Sequence, residues 1–96
     1  MDRCNYLVTY DISDDKRRDA VFKLLLGFGD HAQYSVFFCE LNAREVVELR
    51  ARLRAKIHAV EDQILVVDLG SSVRPLAEGV ESIGRGYQPP VRTVVI

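Results

Sequence analysis

Apolar and polar positions along this chain switch between two periods, and the switches mark out its elements. From Tyr6 to Ile12 the run Tyr-Leu-Val-Thr-Tyr-Asp-Ile is rich in aromatic and β-branched residues, with nothing at helical spacing to compete. A first strand is predicted over about residues 4 to 11. Ser13 is placed to cap a helix whose first turn holds Asp14 and Asp15, acids that the helix macrodipole favours there. Ala20, Val21, Leu24, Leu25 and Phe28 then line one helical face, and Gly27 or Gly29 supplies the stop, giving helix one over about residues 14 to 27.

Residues 32 to 41, Ala-Gln-Tyr-Ser-Val-Phe-Phe-Cys-Glu-Leu, are strand material again, and periodicity leaves open whether they form one strand or a bent pair. Asn42 followed by Glu45 matches a capping box, and Val46, Leu49, Leu53, Ile57 and Val60 repeat at threes and fours, so helix two is predicted over about 43 to 58. The β-branched run Gln63 to Leu69, closed by Gly70-Ser71-Ser72, is a further strand. The order β-α-β(β)-α-β is that of an α+β, ferredoxin-like fold: an antiparallel sheet with both helices on one face.

A chain of 96 residues has one core, so residues 1 to 70 and the tail, 71 to 96, belong to a single domain. Nothing but the tail is left to cover the second sheet face, which makes homodimerisation a physical expectation. Pro75, Gly79, Gly84, Gly86, Pro89 and Pro90 punctuate the tail, and the β-branched end, Val91 to Ile96, is predicted to pair with a sheet edge.

Composition changes this picture little. A hydrophobic share of 48% and a charged share of 28% are ordinary globular values that exclude a disordered chain. No apolar run approaches the roughly 20 residues that span a bilayer, and the start, Met1-Asp2-Arg3-Cys4-Asn5, shows no signal stretch, so a cytoplasmic protein is expected. Cys4 and Cys39 lie in apolar strands, too far apart for a zinc knuckle or a redox pair, and are expected as free packing thiols. The net charge of −1 carries no global signature of nucleic-acid binding, but the charge is segregated. Residues 43 to 60 hold five cations, Arg44, Arg50, Arg52, Arg54 and Lys56, against two acids; residues 61 to 82 hold five acids against Arg74.

Candidate chemistry centres on Asp11, an acid that ends an apolar strand just before a helix. It either caps the turn or carries chemistry, and Ser13, Asp14 and Asp15 are better placed to cap. One carboxylate is thin for a hydrolytic metal site, but a two-fold dimer with strand one near its axis would bring two copies of Asp11 to one hydrated magnesium. Lys16, Arg17 and Arg18 at the start of helix one either hold a phosphate or form a solvated face balanced by Asp14, Asp15 and Asp19. Arg50, Arg54 and His58 make a second stripe on helix two, open to the same two readings. Tyr34, Phe37 and Phe38 are most simply core or interface aromatics.

Tyr10-Asp11-Ile12-Ser13, Lys16-Arg17-Arg18, Gln33-Tyr34-Ser35-Val36-Phe37 and Gln63-Ile64-Leu65-Val66-Val67, in this order and spacing, resemble the CRISPR-associated protein two family over about residues 4 to 70. The resemblance implies a ferredoxin-like homodimer whose sheets face each other, with each C-terminal strand added to the partner's sheet. It implies a role in spacer acquisition, in which the dimer binds DNA and bridges the CRISPR integrase subunits. It also implies, for some members, a metal-dependent endonuclease on RNA or double-stranded DNA. In those, the residue matching Asp11 is the ligand of magnesium; by the general chemistry of hydrolytic sites manganese could take its place. By the same match Tyr10, Ser35 and Phe37 lie near the site, Arg17 or Arg18 contacts phosphate, and the β(β) segment is a hairpin bent near Tyr34-Ser35. Three functions are thus carried forward: a phosphodiester hydrolase, a non-catalytic DNA-holding scaffold, and a small-ligand regulatory domain. The last is disfavoured by Asp-Ile-Ser-Asp-Asp standing where such domains carry a glycine-rich loop.

Overall fold

Alternation along the first strand, β1 (Arg3–Asp11), sends Tyr6, Val8 and Tyr10 to one side of the sheet and Leu7, Thr9 and Asp11 to the other, and the rest of the fold is built on that division. The structure is a computed structural model that describes residues 2 to 87. The further elements are α1 (Asp15–Leu26), β2 (Asp30–Gln33), β3 (Val36–Asn42), α2 (Ala43–Lys56), β4 (Gln63–Ser71) and a short 3₁₀ turn, Leu76–Gly79. The strands form one antiparallel sheet in the order β2-β3-β1-β4, the ferredoxin-like arrangement.

The core lies between the inner sheet face and the two helices. Val21 and Leu25 from α1 and Val46, Leu49 and Leu53 from α2 close over Tyr6, Val8, Tyr10, Phe37, Cys39 and Leu41. Full burial of side chains such as Phe37, Leu25 and Leu49 stabilises the fold by about 1.5–3 kcal/mol each. The outer face gains far less, for Leu65, Val67 and Leu69 of β4 stay largely exposed there. The described part of the tail lies over the β1–β3 side of this outer face, where the Tyr87 ring meets Phe38 edge-on at 6.1 Å and Asn5 Nδ2 donates to the Arg74 carbonyl.

Several local expectations are sharpened. The cap of α1 is Asp14 rather than Ser13: its carboxylate accepts from the Arg17 amide at 2.9 Å, so the helix begins one residue later than its polar pattern suggested. The capping box of α2 is present in both directions, Asn42 accepting from the Glu45 amide and Glu45 from the Asn42 amide. Helix α2 ends at Lys56, and Ile57 is already extended. Gly27 closes α1 in the right-handed region. Gly29 is required for another reason: a Cβ there would lie 2.4 Å from the Phe38 carbonyl oxygen and 2.5 Å from Cys39 Sγ. Residues 32 to 41 resolve into a hairpin, β2 and β3, turning at Tyr34 and Ser35, with Ser35 in the left-handed region at φ 61°. Its carbonyl is tied back to β1 by the Tyr10 amide at 3.2 Å.

Both cysteines are free thiols; Cys39 is buried and Cys4 half-buried, and burial pushes the Cys39 thiol up to about 11. Among the described residues no helix is long and apolar enough to cross a membrane. The strand expected over Val91 to Ile96 lies outside the described residues.

Candidate active site at the end of the first strand

Three segments converge at one end of the sheet: the exit of β1, the β2–β3 turn and the entry to β4. Asp11 is the last residue of β1. It stands opposite Gln63 of β4, while pairing with β3 stops at Thr9 and Val36. Strand alternation puts its carboxylate on the outer face, in line with Leu7 and Thr9, and Ile12 immediately after it turns into the core. The residue is exposed, and among the described residues its side chain makes no hydrogen bond or ion pair. A turn-capping role is thereby excluded: Asp14 caps the helix and Asp11 caps nothing.

The neighbours fall into two groups. Tyr10 and Phe37 point the other way, into the core, with ring centroids 6.4 Å apart, so they support the strand end from beneath rather than facing Asp11. Burial raises the Tyr10 phenol above its ordinary value, and a hydrogen bond with Ser35 partly offsets this. Ser35 therefore ties the hairpin tip to β1 through its carbonyl. Tyr34, at the tip, is 79% exposed and carries none of the core packing that Phe37 does.

The cations at the start of α1 do three different things. Lys16 is exposed and has no ion pair among the described residues. Arg18 folds back, its Nη1 donating to the carbonyls of Ile12 and Ser13 at 3.1 and 3.3 Å, and pairs with Asp15, a hydrogen bond that raises its own pKa. Arg17 lays its guanidinium fork on Asp62, with Nε 2.7 Å from Oδ2 and Nη2 3.2 Å from Oδ1, and its Nη2 also reaches Glu61 at 3.1 Å. The Asp62 side chain is fully buried and takes a third donor, the His58 amide, at 2.8 Å. Arg17 first, then that amide, holds the Asp62 carboxyl below its ordinary value. His58 itself closes the α2–β4 loop, its Nδ1 accepting from the amides of Val60 and Glu61.

Asp62 and His58 were thus not visible as a unit in the sequence. The one available signal was the acidic pair Glu61-Asp62 just before a strand, complementary to Lys16-Arg17-Arg18. Arg50 and Arg54 lie on the helix-covered side of the sheet, opposite the face that carries Asp11, on the rim of a shallow groove between α2 and β4 lined by Leu53, Ile57, Ile64 and Val66. Neither has an ion pair among the described residues.

As a metal site, one chain is incomplete. Among the described residues no three His, Cys, Asp or Glu side chains come together to hold an ion. The exposed, unpaired carboxylate of Asp11 is nevertheless the hard oxygen donor that a largely hydrated magnesium accepts, so the residue fits the ion and the count does not.

An antiparallel ferredoxin-like sheet with both helices on one face, an exposed apolar strip along β4 on the other and an exposed carboxylate at the end of its first strand defines a small α+β protein. The chain belongs to the CRISPR associated protein Cas2 family, whose model matches residues 4–74. It is 37% identical over 93 residues to the CRISPR-associated endoribonuclease Cas2 of Geobacter sulfurreducens, covering 95% of each chain. It is 36% identical over 91 residues to a CRISPR-associated endonuclease Cas2 of Thermus thermophilus, covering 95% of this chain and 93% of that one. The crystal structure of Streptococcus pyogenes Cas2 superposes with a TM-score of 0.73 at 33% identity, covering 83% of this chain and 99% of the other.

Proposed function

We propose that the protein acts in the cytoplasm as a homodimer in CRISPR spacer acquisition, and that its two Asp11 carboxylates form a magnesium-dependent site for cleaving phosphodiester bonds. The observation that carries this reading is the position of Asp11: exposed, without a partner among the described residues, and at the end of the same outer face on which Leu65, Val67 and Leu69 are exposed. Packing two such faces about a two-fold axis would remove the apolar surface from water, and with strand one near that axis it would bring the two copies of Asp11 together. Relatives named as endoribonuclease and endonuclease support the same chemistry.

A bound magnesium, or manganese in its place, would supply charge to polarise the phosphodiester and to acidify a water. The chain's own residues have simpler tasks. Asp11 would hold the ion, one carboxylate coming from each subunit. Lys16, free at the start of α1, attracts a phosphate of RNA or DNA, while Arg17 and Arg18 beside it are balanced by acids.

A second reading, the DNA-holding scaffold that bridges integrase subunits, is favoured by Arg50 and Arg54. Among the described residues these cations have no acidic partner, and they line a groove between α2 and β4 on the helix-covered side of the sheet, where a phosphate backbone could be met. Asp11→Asn separates the two. With purified protein, magnesium and labelled RNA or duplex DNA, the expected result is loss of cleavage, with dimerisation and DNA binding unchanged. Wild-type protein that cleaves neither substrate refutes the hydrolase and leaves the scaffold, for which normal spacer acquisition by Asp11→Asn is the expected result in cells.

A further inference from the structure

Asp11 is held unusually thinly for a residue at the heart of a site. The β1–β3 ladder ends two residues before it, so among the described residues its one cross-strand partner is Gln63, the first residue of β4. Strand ends fray unless something beyond the last rung fixes them. Beyond this rung stand two loops: Ile12-Ser13-Asp14, leading from Asp11 into α1, and His58 to Asp62, leading from α2 into Gln63.

The Arg17–Asp62 pair joins these two loops. Arg17 belongs to the first turn of α1 and Asp62 is the residue immediately before Gln63. The pair is bidentate, its carboxylate is fully buried, and that carboxylate also receives the His58 amide, which sets the loop from its other end. Arg18 completes the fastening by holding the carbonyls of Ile12 and Ser13. We infer that Arg17 is a positioning residue: acting through Asp62, it keeps Gln63 paired with Asp11 and so fixes where the Asp11 carboxylate stands, and it is not itself a phosphate ligand. The chemistry of the pair argues for this. A guanidinium whose Nε and Nη2 are already committed to a buried carboxylate, with a second acid on Nη2, has little charge left to offer a phosphate, whereas Lys16 next to it is free.

The inference rests on the proposed role of Asp11, so its test has an arm that needs no activity. Arg17→Met, Asp62→Asn and the double variant are compared with Lys16→Met, with Arg17→Lys as the conservative control. By amide hydrogen exchange, the first three are expected to lose at least tenfold protection at residues 11 to 13 and 63 to 65, with β3 and α2 unchanged and Arg17→Lys intermediate. Unchanged protection, or equal loss throughout the chain, overturns the inference whether or not the wild type cleaves anything. Where the wild type is active, a displaced carboxylate predicts a fall in kcat of roughly 10- to 100-fold with KM and the salt dependence of binding unchanged. The double variant should be no worse than either single one. Lys16→Met should instead raise KM and flatten the salt dependence. If Arg17→Met behaves like Lys16→Met while Asp62→Asn does not, Arg17 is a phosphate ligand and the inference is wrong.

Discussion

Leu7 and Val67 are cross-strand partners on the outer face of the sheet, yet they meet different surroundings. Leu7 lies with Phe38 beneath the chain that includes Val80 and Tyr87, and is half-buried; Val67 is 43% exposed. The described part of the tail therefore covers one half of this face, and Leu65, Val67 and Leu69 form an exposed apolar strip along β4.

That strip sets the first prediction. If two copies pack through it, Val67→Asp or Leu65→Asp puts charges into an apolar contact and converts dimer to monomer, read by sedimentation equilibrium. The fold should survive, because both side chains point away from the core, and Tm of the monomer should not depend on which of the two is changed.

Acid stability tests the Arg17–Asp62 pair from another side. The folded-state Asp62 carboxyl is depressed below its ordinary 3.8 by Arg17 and by the His58 amide. A group whose folded pKa is the lower one stabilises fully above the unfolded value and loses that contribution as pH falls through the folded value. Asp62→Asn should therefore lower Tm at neutral pH, and the wild-type and variant curves should converge only as pH falls below the ordinary carboxyl value of 3.8 and through the lower folded one. Parallel curves through that range would show the pair contributes nothing.

Nucleic-acid binding has its own signature. Charge reversal at Arg50 and Arg54 should weaken duplex DNA binding and reduce the slope of log K against log salt by about 0.9 for each phosphate that is no longer neutralised. Unchanged slopes would assign both arginines to the solvated surface of α2. Lys16→Glu should act in the same direction without altering the dimer.

Gly29→Ala tests the packing under the hairpin. Its Cβ would meet the Phe38 carbonyl oxygen and Cys39 Sγ inside van der Waals distance, and neither can move without disturbing β3. A loss of about 1–3 kcal/mol is expected, as for other overpacked core positions, read as a lower denaturation midpoint with an unchanged m-value. Gly27→Ala, which meets only the Leu24 carbonyl at 3.3 Å, should cost less.

Much of this protein was legible along the chain because the forces concerned act between near neighbours. The capping box Asn42 to Glu45, the heptad-like stripe Val46, Leu49 and Leu53, and the alternation that buries Tyr6, Val8 and Tyr10 are all set within a few residues, and they specify a ferredoxin-like order of elements. Asp11 could be singled out in the same way, as an acid ending an apolar strand with better caps beside it. The choice between Ser13 and Asp14 as cap was less accessible, since either side chain has the chemistry and only the helix's first φ and ψ select one.

Tertiary structure alone decided the rest, because it concerns residues far apart in sequence that meet only after the sheet forms. Arg17 looked like one of three equivalent cations until folding brought Asp62 onto it across 45 positions. Gly29 looked like a helix stop until β3 came within contact of its Cα hydrogens. Which half of the outer face the tail shelters depends on Phe38 receiving Tyr87, a contact that no local periodicity encodes. By itself, the sequence determined which elements form, which face is apolar and where the acid stands; burial and charge pairing across the closed sheet decided which of the cations beside that acid are free to meet a phosphate.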